Sequence, residues 1–250
     1  MVAYKETKYK QVLSLVFHKY YKKGLHIIEF SQEDLVEQAN ISDISIKNIA
    51  DIKYSINNRT ALPQSIIDTQ PPGLEWVIRA GTGKGRLAFH LVPFSRISPK
   101  KDLALIEIPD ATPDIVRDNM TGDEQSFLTI VRYNRLIDIF LGIVTYTLQN
   151  HLRTTVNNSQ IEIDEIYVGI DSEGKKYIIP VEAKGGGDKN GIVQLEQEIN
   201  YCAQNYGEMT CRAVAVKFVN TTDVVMFELV VINNVVQIKQ ERHYRLIRKA

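Results

Sequence analysis

The chain has 250 residues, 44% hydrophobic and 24% charged with no net charge, a composition that excludes a disordered, fibrous or membrane-spanning protein and is long enough for one large or two modest domains. Two cysteines exclude a disulfide framework, and their spacing from the five histidines offers no zinc motif; a reducing, cytoplasmic setting is expected. The start, MVAYKETKYK, lacks an apolar signal core, and the apolar run near Phe140 is interrupted by Arg135 and Asp138, so no membrane span is expected. The zero total conceals a split: residues 1–95 hold 12 Lys and Arg against 9 Asp and Glu, and residues 96–250 hold 18 against 21. A mildly basic half suits contacts to phosphates, and an acidic half suits carboxylates that await a cation.

In chain order, the spacing of Val12, Leu15, Val16 and Tyr20 predicts an amphipathic helix over Lys5 to Lys23, stopped by Gly24. LHIIEF reads as a short strand. Ser31, with Asp34 three residues on, is the expected cap of a helix over QEDLVEQAN, and after the turn ISDIS a third helix is expected from about Ile44 to Asn58. Beyond Pro63, Pro71 and Pro72, LEWVIRAGTGKGRLAFHLV reads as two strands joined by a cationic, Gly-rich tip. Its Gly81-Thr-Gly-Lys-Gly is not a phosphate loop, because the spacing to Gly-Lys-Ser/Thr is wrong and a strand follows. This order of helix, strand, helix, turn, helix and basic hairpin resembles a winged-helix domain, over residues 1–95. The resemblance implies that Lys47, Asn48, Lys53, Asn57, Asn58 and Arg59 of the third helix enter the major groove, and that Arg79, Lys84 and Arg86 of the wing approach phosphates.

PFSRISPKKD reads as a linker, and residues 96–122 as the connecting segment of a second domain over residues 96–250. From Asp123 to about Arg153, Phe127, Val131, Leu136, Phe140, Val144, Leu148 and Leu152 recur at helical spacing, so one long helix is expected, with Glu124 in its first turn. TCRAVAVKFV, DVVMFELVVI and VVQIKQERHYRLI are three further strand-like segments of a mixed sheet.

The most informative stretch is IEIDEIYVGI-DSEGKK-YIIPVEAK, two strands around a tight polar turn. With the turn centred near Glu173, residues whose numbers sum to 346 face one another, which sets Asp164 against Glu182 and Glu162 against Lys184. Side chains two apart share a face, so three carboxylates and one ammonium gather at one end of apolar strands. Such carboxylates repel unless a cation sits among them, and all-oxygen ligation suits Mg2+.

Asp164, followed eighteen residues later by Glu182-Ala183-Lys184 and then Gly185-Gly-Gly, resembles the PD-(D/E)XK nuclease superfamily, although Ile163 stands where the motif has Pro. The resemblance implies that Asp164, Glu182 and the Ala183 carbonyl ligate Mg2+ and that Lys184 positions or activates the attacking water. It makes Glu124 a candidate extra ligand. On the following helix, where Ile192, Leu195, Ile199, Cys202 and Tyr206 form the apolar stripe, it makes Gln194 and Gln197 candidate auxiliaries, Gln197 standing four before Tyr201. Glu162 is expected to pair with Lys184 or to bind a second ion.

The expected fold class is therefore α/β (α+β), a restriction-endonuclease-like mixed sheet flanked by helices and preceded by a winged-helix domain. The expected activity is Mg2+-dependent hydrolysis of phosphodiesters in double-stranded DNA, as a type II site-specific deoxyribonuclease. That class implies a homodimer and a cognate DNA methyltransferase in the host as partners. A repair or junction-resolving nuclease is the second reading, and an inactive DNA-binding regulator the third.

Overall fold

The chain packs as two compact units, residues 1–95 with 157–159 and residues 96–156 with 160–250. The computed structural model describes residues 7–46, 56, 60–83, 85–156, 159–232 and 235–248. Among these, no helix is long and apolar enough to cross a membrane.

In the first unit, α1 (Lys8–Tyr20) is capped by Thr7 and buries Val12, Leu13, Val16 and Phe17. Leu15, expected inward, lies on the opposite side and is 39% exposed, because the stripe runs through Leu13 instead. Strand β1 (Ile27–Ser31) leads directly into α2 (Gln32–Ile41), whose start is a reciprocal capping box. Asp34 N–H donates to Ser31 Oγ at 3.2 Å, and Ser31 N–H donates to Asp34 Oδ2 at 2.8 Å. A short helix α3 (Gln64–Ile67) precedes the hairpin of β2 (Glu75–Ala80) and β3 (Arg86–Val92). The three strands form an antiparallel sheet in the order β1-β3-β2, packed on Phe17, Phe30, Trp76 and Phe89. Of the expected third helix, Ile44 to Ile46 are not helical, Ile56 is helical and buried, and the remaining positions lie outside the described residues.

The second unit is a large mixed sheet flanked by helices. Among the described residues its eight strands are β4 (Leu105–Pro109), β5 (Val144–Val156), β6 (Ser159–Ile170), β7 (Lys176–Lys184), β8 (Thr210–Cys211), β9 (Ala213–Phe218), β10 (Asp223–Ile232) and β11 (Val235–Ile247). The order is β4-β11-β10-β9-β7-β6-β5, with β8 beside β7. Strand β7 is antiparallel to β6 and parallel to β9, so it is central and buried on both faces. Alternation along it sends Ile179, Val181 and Ala183 into one core with α5 (Glu124–Tyr133) and α6 (Leu136–Leu141), which follow the short α4 (Asp114–Arg117). Ile178 packs on the other face with Cys202 of α7 (Ile192–Asn205).

The long helix expected from Asp123 to Arg153 is instead two short helices and an edge strand. Arg135 and Gly142 both adopt left-handed backbone, with φ 48° and 67°, which ends each helix. After Gly142 the chain is rich in β-branched and aromatic residues, Val144, Thr145, Tyr146 and Thr147, and becomes β5.

Candidate active site

The β6–β7 hairpin adopts the register with number sums of 346: Glu165 pairs with Val181, Tyr167 with Ile179, and Ile170 with Lys176. Its turn is closed by Asp171, whose Oδ1 accepts from Glu173 N–H at 3.0 Å and from Lys175 N–H at 2.9 Å, with Gly174 at φ 83°. A short turn fixes the register, and the register decides which acids meet at the far end.

There Asp164, 6% exposed, accepts a hydrogen bond from Ala183 N–H at 3.0 Å. Glu182 is fully buried on the next residue of β7, and its Oε1 lies 2.7 Å from Lys184 Nζ. The same ammonium is 2.7 Å from Oε1 of Glu124, at the first position of α5. The expected helix position of Glu124 is therefore a contact with the site lysine. Burial pushes the pKa of Asp164 up against the Ala183 hydrogen bond. Glu182 is raised by burial and by the neighbouring Asp164 charge. For Lys184 burial favours the neutral form, but Glu182, Glu124 and Asp164 outweigh it and hold the ammonium charged, above the ordinary lysine range.

One acid of the cluster is absent from the sequence motif. Glu198, on α7, is fully buried, and its pKa is pushed well up by burial and by the Glu182 and Asp164 charges, so it faces them. On α7 it lies inside the apolar stripe rather than on the solvent face. Leu195, Glu198 and Cys202 recur at steps of three and four, and that spacing is the signal that could have found it. Apart from Lys184, no donor among the described residues reaches the carboxylate oxygens of Glu182 or Glu198.

The other expected auxiliaries do not join the cluster. Glu162 does not pair with Lys184. It is 40% exposed in its side chain and binds His151 Nδ1 at 3.0 Å and Arg153 Nε at 3.3 Å, both on β5. Strand β7 ends at Lys184, whose charge is already taken by Glu182 and Glu124, so β5 supplies the nearer partners. Gln194 and Gln197 are half-buried on α7, and no hydrogen bond joins either to Asp164, Glu182 or Lys184. Of the expected DNA contacts, Lys47, Asn48, Lys53, Asn57, Asn58, Arg59 and Lys84 lie outside the described residues. Arg79 is half-buried on β2 opposite Ala88, and Arg86 is exposed at the start of β3.

The residues present fit a hard divalent cation. Three buried carboxylates, two of them with orphaned oxygens, offer oxygen ligands and unmatched negative charge. Among the described residues, no three His, Cys, Asp or Glu side chains already stand in a ligating arrangement around one point. Lys184 supplies the counter-charge seen. No protein family, curated protein or solved structure matches this chain.

Proposed function

We propose that this chain is a Mg2+-dependent endonuclease of the PD-(D/E)XK type that hydrolyses phosphodiesters in double-stranded DNA, most specifically as a type II restriction enzyme. One observation carries the reading: Asp164, Glu182 and Lys184 meet at the end of one hairpin, with a third buried acid, Glu198, behind them. Asp164, Glu182 and Glu198 would hold the metal, which when bound supplies Lewis-acid polarisation of the phosphate and offsets the clustered charge. The protein's own contribution is orientation. Glu182 and Glu124 fix the Lys184 ammonium from two sides, so it meets the reacting phosphate as a placed cation that stabilises developing charge on oxygen. The first unit would serve as a winged-helix reader of duplex DNA, with its hairpin as the wing.

The test is incubation of the protein with DNAs of diverse sequence in Mg2+, followed by sequencing of the ends. Ends clustered at one short motif are expected. Binding without any cleavage, by wild type as by Lys184→Ala, would overturn the enzyme reading and leave a DNA-binding regulator.

A further inference from the structure

Beside the acid cluster lies a second buried ammonium that the proposed chemistry does not use. Lys217 is the one charged residue of β9, whose six positions are all buried. It pairs with Lys184 across the parallel β7–β9 ladder. The two ammonium groups have different partners. Lys184 faces carboxylates, whereas Lys217 Nζ donates to three main-chain carbonyls, those of Gly185 at 3.1 Å, Gly186 at 2.7 Å and Asp188. An ammonium has three donors, and all three are used.

The carbonyls belong to the loop that joins Lys184 to α7. Three successive glycines give this loop wide conformational freedom, and Gly186 adopts φ 51°. Its far end is also fastened. Asn190, buried, donates from Nδ2 to the Glu182 carbonyl at 3.3 Å and accepts from Ile97 N–H at 3.0 Å. Gly185 O also accepts Asp188 N–H at 3.1 Å, but only the Lys217 ammonium gathers the Gly185, Gly186 and Asp188 carbonyls at one point, so without it the loop loses three charge-assisted hydrogen bonds. Lys217 has no donor left for a substrate phosphate and is 9% exposed, so direct contact with DNA is excluded as its role.

We propose that Lys217 is a tethered cation, doing for the 185–190 loop what a bound metal or ammonium ion does in a carbonyl-lined site, and that it is thereby a positioning residue for Glu182 and Lys184. Its consequence for catalysis rests on the nuclease reading; its effect on the loop does not. The experiment compares full-length wild type, Lys217→Met and Lys217→Ala by hydrogen exchange of peptides spanning 185–195, with and without n-propylammonium, which is the part of the side chain that the alanine variant lacks. Both variants should exchange about tenfold faster there, with β10 and β11 unchanged, since the opening is local. Propylammonium should restore protection to Lys217→Ala and not to Lys217→Met, whose side chain fills the space. In the same samples cleavage should lose kcat with little change in KM, and propylammonium should recover it for the alanine variant alone. Methionine keeps the apolar stem, so it carries the test if the alanine variant does not fold. A Lys217→Met protein whose loop exchanges as slowly as wild type overturns the proposal, as does an alanine variant that propylammonium cannot rescue. If wild type cuts no DNA, the nuclease reading falls while the exchange measurement still decides the role of Lys217.

Discussion

Lys184 brings a single positive charge to four carboxylates, Asp164, Glu182, Glu198 and Glu124, and that imbalance is the chemistry of the site. Asp164, Glu182 and Lys184 are legible in the sequence because a two-residue alternation and a tight turn fix which side chains face each other. For Glu198 the helical spacing with Leu195 and Cys202 signals burial, but its place among the acids is not legible, because those neighbours come from another element and only the fold brings them together. On the nuclease reading, Asp164→Ala and Lys184→Ala should each slow cleavage by about a thousandfold, the scale of losing a group that acts on transition-state charge. Rates on a cleavable duplex measure this, and a Lys184→Ala protein that cuts normally refutes the assignment. Glu198→Gln separates stability from activity. Burial and the neighbouring acids push the Glu198 carboxyl up, so without metal the fold bears the cost of keeping that acid inside; the glutamine has its shape and no such cost, so in EDTA it should stabilise the fold by about 1 kcal/mol. Mg2+ should narrow the gap, because only wild type gains fully from binding it. Urea unfolding with and without metal checks both, and a variant weaker than wild type in EDTA would show that Glu198 is satisfied without a cation.

Whole elements were legible where one period dominates. The hairpin strands and β9, β10 and β11 have no competing reading. From Asp123 to Arg153, by contrast, Val144, Leu148 and Leu152 fall four apart and imitate a helix, while left-handed Arg135 and Gly142 break it in the folded chain. The end of β7 is held against α5 by contact that no periodicity reveals. A Cβ added to Gly185 would lie 2.1 Å from Phe127 Cε2, and the Phe127 ring cannot retreat freely because it stacks on Phe218 at 4.5 Å. Gly185→Ala should therefore cost about 1–3 kcal/mol, as overpacking does, and weaken cleavage through the displaced Glu124 and Lys184. Phe127→Leu in the same chain should recover part of both, and thermal melts with cleavage rates test it. At the opposite rim Asp110 joins β4, α4, α5 and the end of β11: it accepts from Thr112 N–H at 2.9 Å and Asn134 Nδ2 at 3.3 Å, and pairs with Arg117 and Arg248. Burial pushes its carboxyl up, but the Thr112 hydrogen bonds and the two arginines prevail and bring it to about 2. The folded pKa thus lies below the unfolded value of about 3.9, so the network stabilises fully above that pH and loses its contribution as pH falls towards 2. Asp110→Asn should cost about 1–2 kcal/mol at pH 7, allowing for solvent screening, and almost nothing near pH 2. Urea titrations at pH 7, 4 and 3 follow the decline; a constant difference would place the effect in packing rather than charge.

At the scale of the molecule, the Pro- and Lys-rich stretch PFSRISPKKD encloses the change of unit at Ser95 and Arg96, yet from Arg96 onward it is not a free linker. Arg96 bridges to Gly191, Ile97 N–H bonds to Asn190, and Lys100 N–H donates to Glu241 Oε1 at 2.8 Å. Composition could not disclose this, because the anchoring groups are main-chain amides that every residue carries. The first unit has what it needs to fold alone. Its apolar core, from Val12 to Leu91, contains no residue of the second unit, and Phe17 packs edge-on against both Trp76 and Phe89. With 12 basic against 9 acidic residues it also carries the excess positive charge of the chain. An isolated fragment of residues 1–95 should therefore fold cooperatively and, if it is the reader, bind duplex DNA without cutting it. For about four phosphate contacts its affinity should fall about a hundredfold between roughly 50 and 200 mM salt, as counterions released from the backbone regain their place. Replacing Lys84 and Arg86 should weaken binding to all sequences alike, whereas replacing Lys53 or Asn57 should erode the preference for one site. Competition binding with the purified fragment distinguishes these outcomes. A folded fragment with no salt-sensitive affinity for DNA would refute the reader role and move recognition to the unit that holds Lys184.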